Sequence, residues 1–249
     1  MKKLFIYLTI ILLCCSCRSS RSMQKELNEM RSNLFYELTS QEYTGKVNKT
    51  VYLDFIHYSN TDYHTTIKKK GSLLVPLLFV NFEKNSFRTR LGEHSLSQLY
   101  REFLTEALLT EFNSSTCFRV FYNKDKLFSA DSTYRLEVKI LQNETTGKVT
   151  LKETSFLWVD GSFISFPNCR YHPATTTLSI AVCLSYKGKE LLKKTYNINH
   201  QQSDKSRQYE DSYGANQACL DNMAKSLSLS TKEIVENMGQ ELHLLMSTQ

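Results

Sequence analysis

A period-two alternation of apolar and polar residues runs through the middle of the chain and constrains its fold. In residues 133–141 and 175–186 every second position is apolar, which is typical of a strand with one buried face. We predict further strands at 47–58, 73–82, 117–123, 149–159 and 190–198. Turns are predicted at 68–71, 143–147 and 187–189, where lysine, asparagine and glycine cluster. These short connections predict a mostly antiparallel sheet.

Two segments with a helical period accompany these strands. Residues 95–112 repeat apolar side chains at intervals of three and four, and Ser95 with Gln98 fits a capping box. Residues 213–245 repeat the pattern, with an interruption at 227–230 that predicts a kink, and the polar stretch 199–212 before them predicts a mobile loop. We therefore predict one α+β domain over 46–249, with an amphipathic helix after the first buried strand and a long C-terminal helix.

The first seventeen residues have the features of an export signal. Lys2 and Lys3 precede an uninterrupted apolar run at 4–13. This run is well short of the ~20 residues that a spanning helix needs, and its length is typical of a secretory signal. Cys14, Cys15 and Cys17 follow it directly. An ordinary cleaved signal whose cysteines lie there by chance is the alternative interpretation.

The cysteine cluster resembles the lipobox of bacterial lipoproteins, in which small or apolar residues precede a cysteine that is acylated and becomes the mature N-terminus. The resemblance implies that Cys17, preceded by Ser16, carries a lipid such as palmitate, with Cys15 as the second choice. Residues 18–45, with a helical pattern at 23–38, would then form a tether. The resemblance therefore implies a lipid-anchored protein of the cell envelope. We expect this protein at the outer membrane, facing the periplasm.

Composition and motifs limit the remaining function classes. The formal charge of +6 is mild, and the basic clusters at 68–70 and 193–194 are short, so no nucleic-acid partner is predicted. The six histidines are scattered without a zinc-binding spacing, and the chain has no G-x-S-x-G, G-x-G-x-x-G or P-loop motif. We predict a non-enzymatic protein without a metal or cofactor.

Four cysteines lie outside the signal, at 117, 169, 183 and 219. Export permits disulfides, and four thiols allow three connectivities. None lies in a C-x-x-C pair, which argues against a zinc ribbon or a thioredoxin-like site. Cys183 and Cys219 fit buried small hydrophobic positions. Cys117 and Cys169 both follow turn-like sequences, and a bridge between them is the pairing to test first.

The order of elements carries a second resemblance. A buried strand leads into SLSQLYREFLTEALLTEF at 95–112, an aromatic strand follows, and Ala130-Asp131 precedes a strand beginning with Tyr134. A meander and a closing helix complete residues 73–242. This order resembles the ABC-type transport auxiliary lipoproteins and related envelope-assembly lipoproteins, including those of curli secretion and lipopolysaccharide assembly and the amino-terminal domain of the Tol translocation protein.

That resemblance implies a non-catalytic accessory or scaffold subunit of an envelope transport or assembly complex, which binds other envelope proteins. The alternative is a surface or periplasmic lipoprotein that binds a glycan or a host factor through its aromatic side chains. The alternative would require Trp158, Phe163 and Phe166 to be exposed near one loop. We expect most of these rings to lie in the core instead.

Overall fold

The computed structural model describes residues 25, 27, 29–38, 49–75, 78–115, 118–123, 133–158, 161–203, 206–209 and 211–248. Within these ranges it contains eight strands and two long helices. The strands are β1 (Thr50–Asp54), β2 (Tyr63–Val75), β3 (Leu78–Arg90), β4 (Arg119–Asn123), β5 (Tyr134–Trp158), β6 (Phe163–Tyr186), β7 (Lys189–Gln201) and β8 (Gln208–Tyr209). The helices are α1 (Tyr100–Ser115) and α2 (Ser212–Ser247), and a 3-10 turn, Glu93–Ser95, precedes α1.

All eight strands belong to one sheet, and the long antiparallel pair of β5 and β6 lies at its centre. The first part of β5 pairs with β1, and its second part pairs with β3. On the other side, β6 pairs with β7 and, nearer its start, with β8. The sheet therefore has two halves that share β5 and β6. We call β4-β1-β5-β6-β7 the proximal half and β2-β3-β5-β6-β8 the distal half.

The fold is α+β, as the sequence predicts, and it includes the long C-terminal helix. The pairings are antiparallel except at β1, which lies parallel to both β4 and β5. Parallel neighbours need a long crossover connection, and the stretch from β1 to β4, which includes α1, supplies it. The mostly antiparallel sheet is thus a mixed one.

Both helices lie on the same face of the sheet. Inward residues of α1, such as Leu104 and Leu108, and of α2, such as Met223 and Leu227, form one hydrophobic cluster with the inward side chains of β1 and β5. Burial of this cluster is the main stabilising contribution to the fold, because apolar surface leaves water. The opposite face of the sheet carries exposed polar side chains, and no described helix covers it. We call it the open face.

Gly147 of β5 allows α2 to approach the sheet closely. A Cβ atom at this position would lie 2.5 Å from Met223 Sδ and 2.6 Å from Cys219 Sγ. Both sulfur-bearing residues are fully buried in α2. Gly147 also lies at a register shift between Thr146 and Lys148, where the pairing of β5 with β6 is irregular. The glycine is therefore required by packing, and the turn predicted at 143–147 is wrong.

The other predicted turns have different outcomes. The turn predicted at 68–71 is wrong, because these residues lie in the middle of β2 and pair with β3. The tight turn at 187–189 is confirmed: Lys187 and Gly188 have φ values of 49° and 73°, as a two-residue hairpin connection requires. The predicted loop at 199–212 is shorter than expected, because β7 continues to Gln201 and β8 interrupts the remainder.

Helix α2 is continuous where the sequence predicts a kink. Ser230 and Thr231 donate their side-chain hydroxyls to the carbonyl oxygens of Ser226 and Leu227, each at 2.8 Å. Thr231 Oγ1 also lies 2.9 Å from the hydroxyl of Tyr100 in α1. These polar residues interrupt the apolar pattern, and their hydroxyls are satisfied by carbonyl oxygens of α2 and, for Thr231, by the hydroxyl of Tyr100. The interruption at 227–230 therefore does not end α2, and a bend of its axis there stays a prediction.

The predicted capping box at Ser95 is also wrong. Helix α1 begins at Tyr100, and the Ser95 hydroxyl donates to the carboxylate of Asp62 at 2.7 Å. The same carboxylate accepts from the backbone amides of Gly92, at 2.7 Å, and His94, at 3.0 Å. Asp62 thus satisfies the donors of the 3-10 turn and attaches the segment before β2 to it.

The described part of the predicted tether packs against the domain. Residues 25, 27 and 29 are helical, whereas 31–38 are not, so the helix predicted at 23–38 is only partly present. Leu27 and Met30 belong to the hydrophobic core. Ser32 forms a parallel bridge with Leu96, and the Phe35 amide donates to Ser228 Oγ at 3.1 Å. The core therefore includes side chains that precede residue 46.

Candidate functional site

The distal half of the open face carries three cross-strand rows of polar and basic side chains. Residues that pair directly across antiparallel strands point to the same face, so the register defines these rows. The rows are Lys69, Lys84, Lys152 and Asn168; then Ile67, Ser86, Thr150 and Arg170; then Thr65, Arg88, Lys148 and His172. We call Lys69, Lys84, Arg88, Lys148, Lys152 and Arg170 the basic face.

The cations of the basic face are exposed, and none forms an ion pair within the part of the chain that the structure describes. The nearby carboxylates of Glu83 and Glu153 lie on the opposite face of the sheet. Glu83 lies 3.5 Å from Lys70, and Glu153 accepts from Ser165 at 2.7 Å. The positive charge of the basic face is therefore uncompensated by its own neighbours.

Two shallow clefts run between these cations. One, of about 150 Å³, is lined by Lys84, Lys148, Lys152, Arg170 and His172 together with Thr150 and Asn168. The other, of about 340 Å³, lies beside it between β2 and β3 and shares Lys84 and Lys148. Both are lined mainly by donors, because lysine and arginine have no acceptor. The clefts therefore suit an anionic group.

The pKa of His172 reflects the positive charge around the smaller cleft. Its Nε2 lies 3.1 Å from Thr150 Oγ1. Partial burial lowers the pKa of His172, and the charges of Lys148, Arg170 and Lys84 lower it further. Each cation disfavours the imidazolium form because a further positive charge would be added to the cleft.

The basic face continues into an apolar surface at the end of the distal half. Six large apolar side chains there are between 45 and 80 % exposed: Leu73, Leu74, Phe82, Trp158, Ile164 and Phe166. We call this set the apolar tip. The ring of Phe166 contacts that of Phe156 edge to face, with centroids 5.9 Å apart. Exposed apolar patches of this kind mark interaction sites.

Several predictions about this region need correction. The apolar run at 73–82 is not one buried strand, because β2 ends at Val75, β3 begins at Leu78, and these two residues pair. Trp158 and Phe166 are 45 % and 58 % exposed, so the expectation that they lie in the core is wrong. The side chain of Phe163 lies outside the described residues. Exposure of the first two rings is the feature that the ligand-binding alternative requires.

The basic face is not among the predicted sites, although the sequence contains a local signal for it. Lys148 and Lys152 are four residues apart in β5, as are Lys84 and Arg88 in β3. Because side chains alternate between the two faces of a strand, residues four apart share a face. The sheet register then brings these pairs and Arg170 of β6 together.

The predicted covalent sites lie largely outside the described residues. Cys17, its alternative Cys15 and Cys117 all fall outside them, so the lipid attachment and the bridge between Cys117 and Cys169 stay predictions. Cys169 is only 1 % exposed. Cys219 is fully buried, which raises the pKa of its thiol to about 12, whereas Cys183 is half-buried.

Two further observations concern metals and membranes. In the part of the chain that the structure describes, no three metal-binding side chains of histidine, cysteine, aspartate or glutamate are grouped closely enough to hold an ion. Neither α1 nor α2 is long and apolar enough to cross a bilayer, and the same holds for every described helix.

The protein is thus an α+β protein with one layer of helices, an open sheet face and a basic and apolar surface at the distal end. No known protein family matches its sequence, and no curated protein does. A similar solved structure is the crystal structure of protein XCC0632 from Xanthomonas campestris, of family DUF330. The similarity has a TM-score of 0.46 and 12 % identity, and it covers 85 % of this chain and 97 % of that one.

Proposed function

We propose that the protein is a lipid-anchored, non-catalytic accessory subunit of the bacterial cell envelope. The observation that carries the proposal is the distal half of the open face, where uncompensated cations adjoin an exposed apolar surface. Neither feature stabilises the fold of an isolated monomer in water, because solvated apolar surface is unfavourable and like charges repel. Both features suit a surface that a partner covers.

The N-terminal sequence supports the anchored part of this proposal. The lipobox-like cysteines end an apolar run that is too short to span a bilayer. Acylation at Cys17 would hold the chain at a membrane. The resemblance of the order of elements to ABC-type transport auxiliary lipoproteins supports an accessory role in a transport or assembly complex.

Contacts of Arg31 and Ser32 with the domain limit how far an anchor at Cys17 could lie from it. The Arg31 carbonyl accepts from Gln217 Nε2 at 3.2 Å, and the Ser32 hydroxyl donates to the carboxylate of Asp221 at 2.8 Å. These contacts hold the chain at the start of α2. Cys17 precedes Arg31 by fourteen residues, which span at most about 50 Å. An anchored domain would therefore stay close to the bilayer.

Labelling with a palmitate analogue tests the anchor. We expect the wild-type chain and Cys15→Ala to incorporate the label and Cys17→Ala to lose it. Label retained by Cys17→Ala and lost by Cys15→Ala would move the site to Cys15. Absence of label from the wild-type chain would overturn the lipoprotein proposal.

Affinity purification from solubilised envelopes tests the accessory role. We expect the tagged full chain to retain transporter or outer-membrane subunits in stoichiometric amounts. A matched preparation of Cys17→Ala controls for contacts that depend on the anchor. A chain that is acylated but purifies without any envelope protein would contradict the accessory role.

Exposure of Trp158 and Phe166 favours one second candidate, a glycan-binding lipoprotein. Flat exposed aromatic rings can stack on sugar rings. In that case, Trp158→Ala would abolish binding on a glycan array, whereas removal of an exposed ring elsewhere, as in Phe121→Ala on β4, would leave it unchanged. No binding of the wild-type chain to any glycan would eliminate this candidate.

A further inference from the structure

We propose that the distal half of the open face is a second membrane-binding element, which recognises anionic lipid headgroups through the basic face while the apolar tip enters the bilayer interface. The inference rests on the proposed function, because it names the ligand of the same site. It adds the chemical class of that ligand and the orientation of the domain.

The charge of the basic face is complementary to that of anionic lipid headgroups. Six exposed lysine and arginine side chains share one sheet surface without a carboxylate partner among the described residues. Anionic lipids attract such clusters close to the membrane surface. The long side chains of Lys84 and Lys152 reach away from the sheet and can place their ammonium groups among phosphates.

Polarity changes along the strands of the distal half as well as between its two faces. On the open face, Leu78 and Trp158 pair at the end of the sheet. The row of Leu73, Val80, Phe156 and Ile164 comes next, and the row containing Phe82 and Phe166 follows. The next three rows contain the basic face. Adjacent rows are separated by two residues, which is about 7 Å. When the open face lies on a bilayer, apolar rings meet the acyl boundary beside cations at the headgroups.

Exposed apolar side chains on both faces of the apolar tip favour a bilayer over a protein partner. Leu73 and Leu74 are neighbours in β2 and point to opposite faces, yet they are 55 % and 80 % exposed. A protein that covered the open face would leave Leu74 in water, whereas lipid surrounds an inserted tip on both sides. Trp158, at the end of β5, is the residue type typical of the membrane interface.

The proposed anchor would lie within reach of the distal half. The start of α2, which holds the chain at Arg31, packs on the distal half, because Cys219 and Met223 contact β5 at Gly147. An acyl chain at Cys17 would therefore raise the effective concentration of the distal half at the same membrane.

Trp158 is the only tryptophan in the chain and provides a direct readout. The full chain, as processed by the cell, is reconstituted into vesicles of phosphatidylcholine alone or of phosphatidylcholine mixed with phosphatidylglycerol. We expect the Trp158 emission to shift to the blue, and to be quenched by brominated acyl chains, only on the anionic vesicles. Emission that is identical on both kinds of vesicle would overturn the proposal.

Matched charge variants test the basic face. Lys84→Gln, Lys148→Gln and Lys152→Gln are combined in one chain, and Lys139→Gln, Lys189→Gln and Lys193→Gln, from the proximal half, form the control. If each lysine contributes about 1 kcal/mol to binding at the anionic surface, the ratio of inserted to free tips should fall on the order of 100-fold in the first variant. We expect little change in the control. An equal fall in both variants would overturn the proposal.

A soluble polyanion tests the competing class of partner. Polyglutamate serves as a stand-in for an acidic protein, and inorganic phosphate tests a free anion. If either shifts the Trp158 emission as strongly as anionic vesicles do, the lipid proposal fails. Failure of the proposed function is separate, because it appears as missing palmitate label at Cys17 whether or not Trp158 responds to vesicles.

Discussion

The substitution Gly147→Ala tests the close packing of α2 on the sheet. The added methyl group would lie 2.5 Å from Met223 Sδ and 2.6 Å from Cys219 Sγ, whereas non-bonded heavy atoms prefer roughly 3.5–4.0 Å. Each sulfur must therefore retreat by about 1 Å in a part of the core from which solvent is excluded. Overpacking of this kind typically costs about 1–3 kcal/mol.

Gly71→Ala provides the matched control. Gly71 also lies inside a strand, β2, but a Cβ atom there has no neighbour within 4 Å. Alanine reduces the conformational freedom of the unfolded chain, so this variant should gain about 0.5–1 kcal/mol. The same entropic gain partly offsets the clash at Gly147, which leaves a net loss of about 1–2 kcal/mol for Gly147→Ala.

Urea unfolding of the full chain, followed by circular dichroism, measures both free energies of unfolding. Removing one of the clashing sulfurs gives a second test: Cys219→Ala in the Gly147→Ala background should recover part of the loss, so the two substitutions couple. Equal effects of Gly147→Ala and Gly71→Ala would refute the packing argument, as would strictly additive effects of Gly147→Ala and Cys219→Ala.

Three further predictions concern single side chains. Asp62→Ala should lower the free energy of unfolding by about 2–3 kcal/mol, because three donors of the 3-10 turn lose a charged acceptor, and chemical denaturation measures the loss. Asp211→Ala removes the N-cap acceptor of α2 and should cost about 1 kcal/mol in the same assay, whereas a neutral result would contradict the capping role. Lys148→Gln should raise the pKa of His172, which NMR titration of the imidazole measures. Because the folded pKa of His172 lies below its unfolded value of about 6.5, this side chain favours the unfolded state increasingly as pH falls below that value, and His172→Gln should weaken the acid dependence of stability.

The helices could be predicted from the sequence because each keeps one apolar stripe against a single layer. Leu104 and Leu108 of α1 have the spacing that a one-sided helix requires. The interruption at 227–230 does not end α2, and the reason is tertiary. Its serines and Thr231 interrupt the apolar pattern, but Tyr100 and the helix carbonyls satisfy them.

The long strands were harder to predict, because positions on the open face need not be apolar. Glycine and lysine at 68–71 resemble a turn, yet in β2 they pair regularly with β3. Gly147 resembles a turn residue for the same reason, although α2 is what requires it. The residues around Gly147 give no information about where α2 packs, because α2 lies about seventy residues further along the chain.

The candidate site depends on register, which single-sequence patterns do not specify. Each pair of cations four residues apart is visible in its own strand, but β3, β5 and β6 must align before Lys84, Lys148 and Arg170 surround one cleft. The apolar tip was misread because an apolar run such as 73–82 normally indicates burial. Here the run includes parts of two paired strands, and Leu73, Leu74 and Phe82 extend into solvent.

The lysines of strand β2 also protect the protein against self-association. Among the described strands it pairs only with β3, so one long edge with unpaired backbone groups faces outward. Such an edge is a template for pairing with another chain, and charged residues, lysine above all, are the common protection against it. Lys68, Lys69 and Lys70 lie at the middle of this edge and Gly71 follows them. A second copy that approached edge to edge would bring like charges together, so the lysines that resemble a turn in the sequence keep the sheet from extending into a neighbouring molecule.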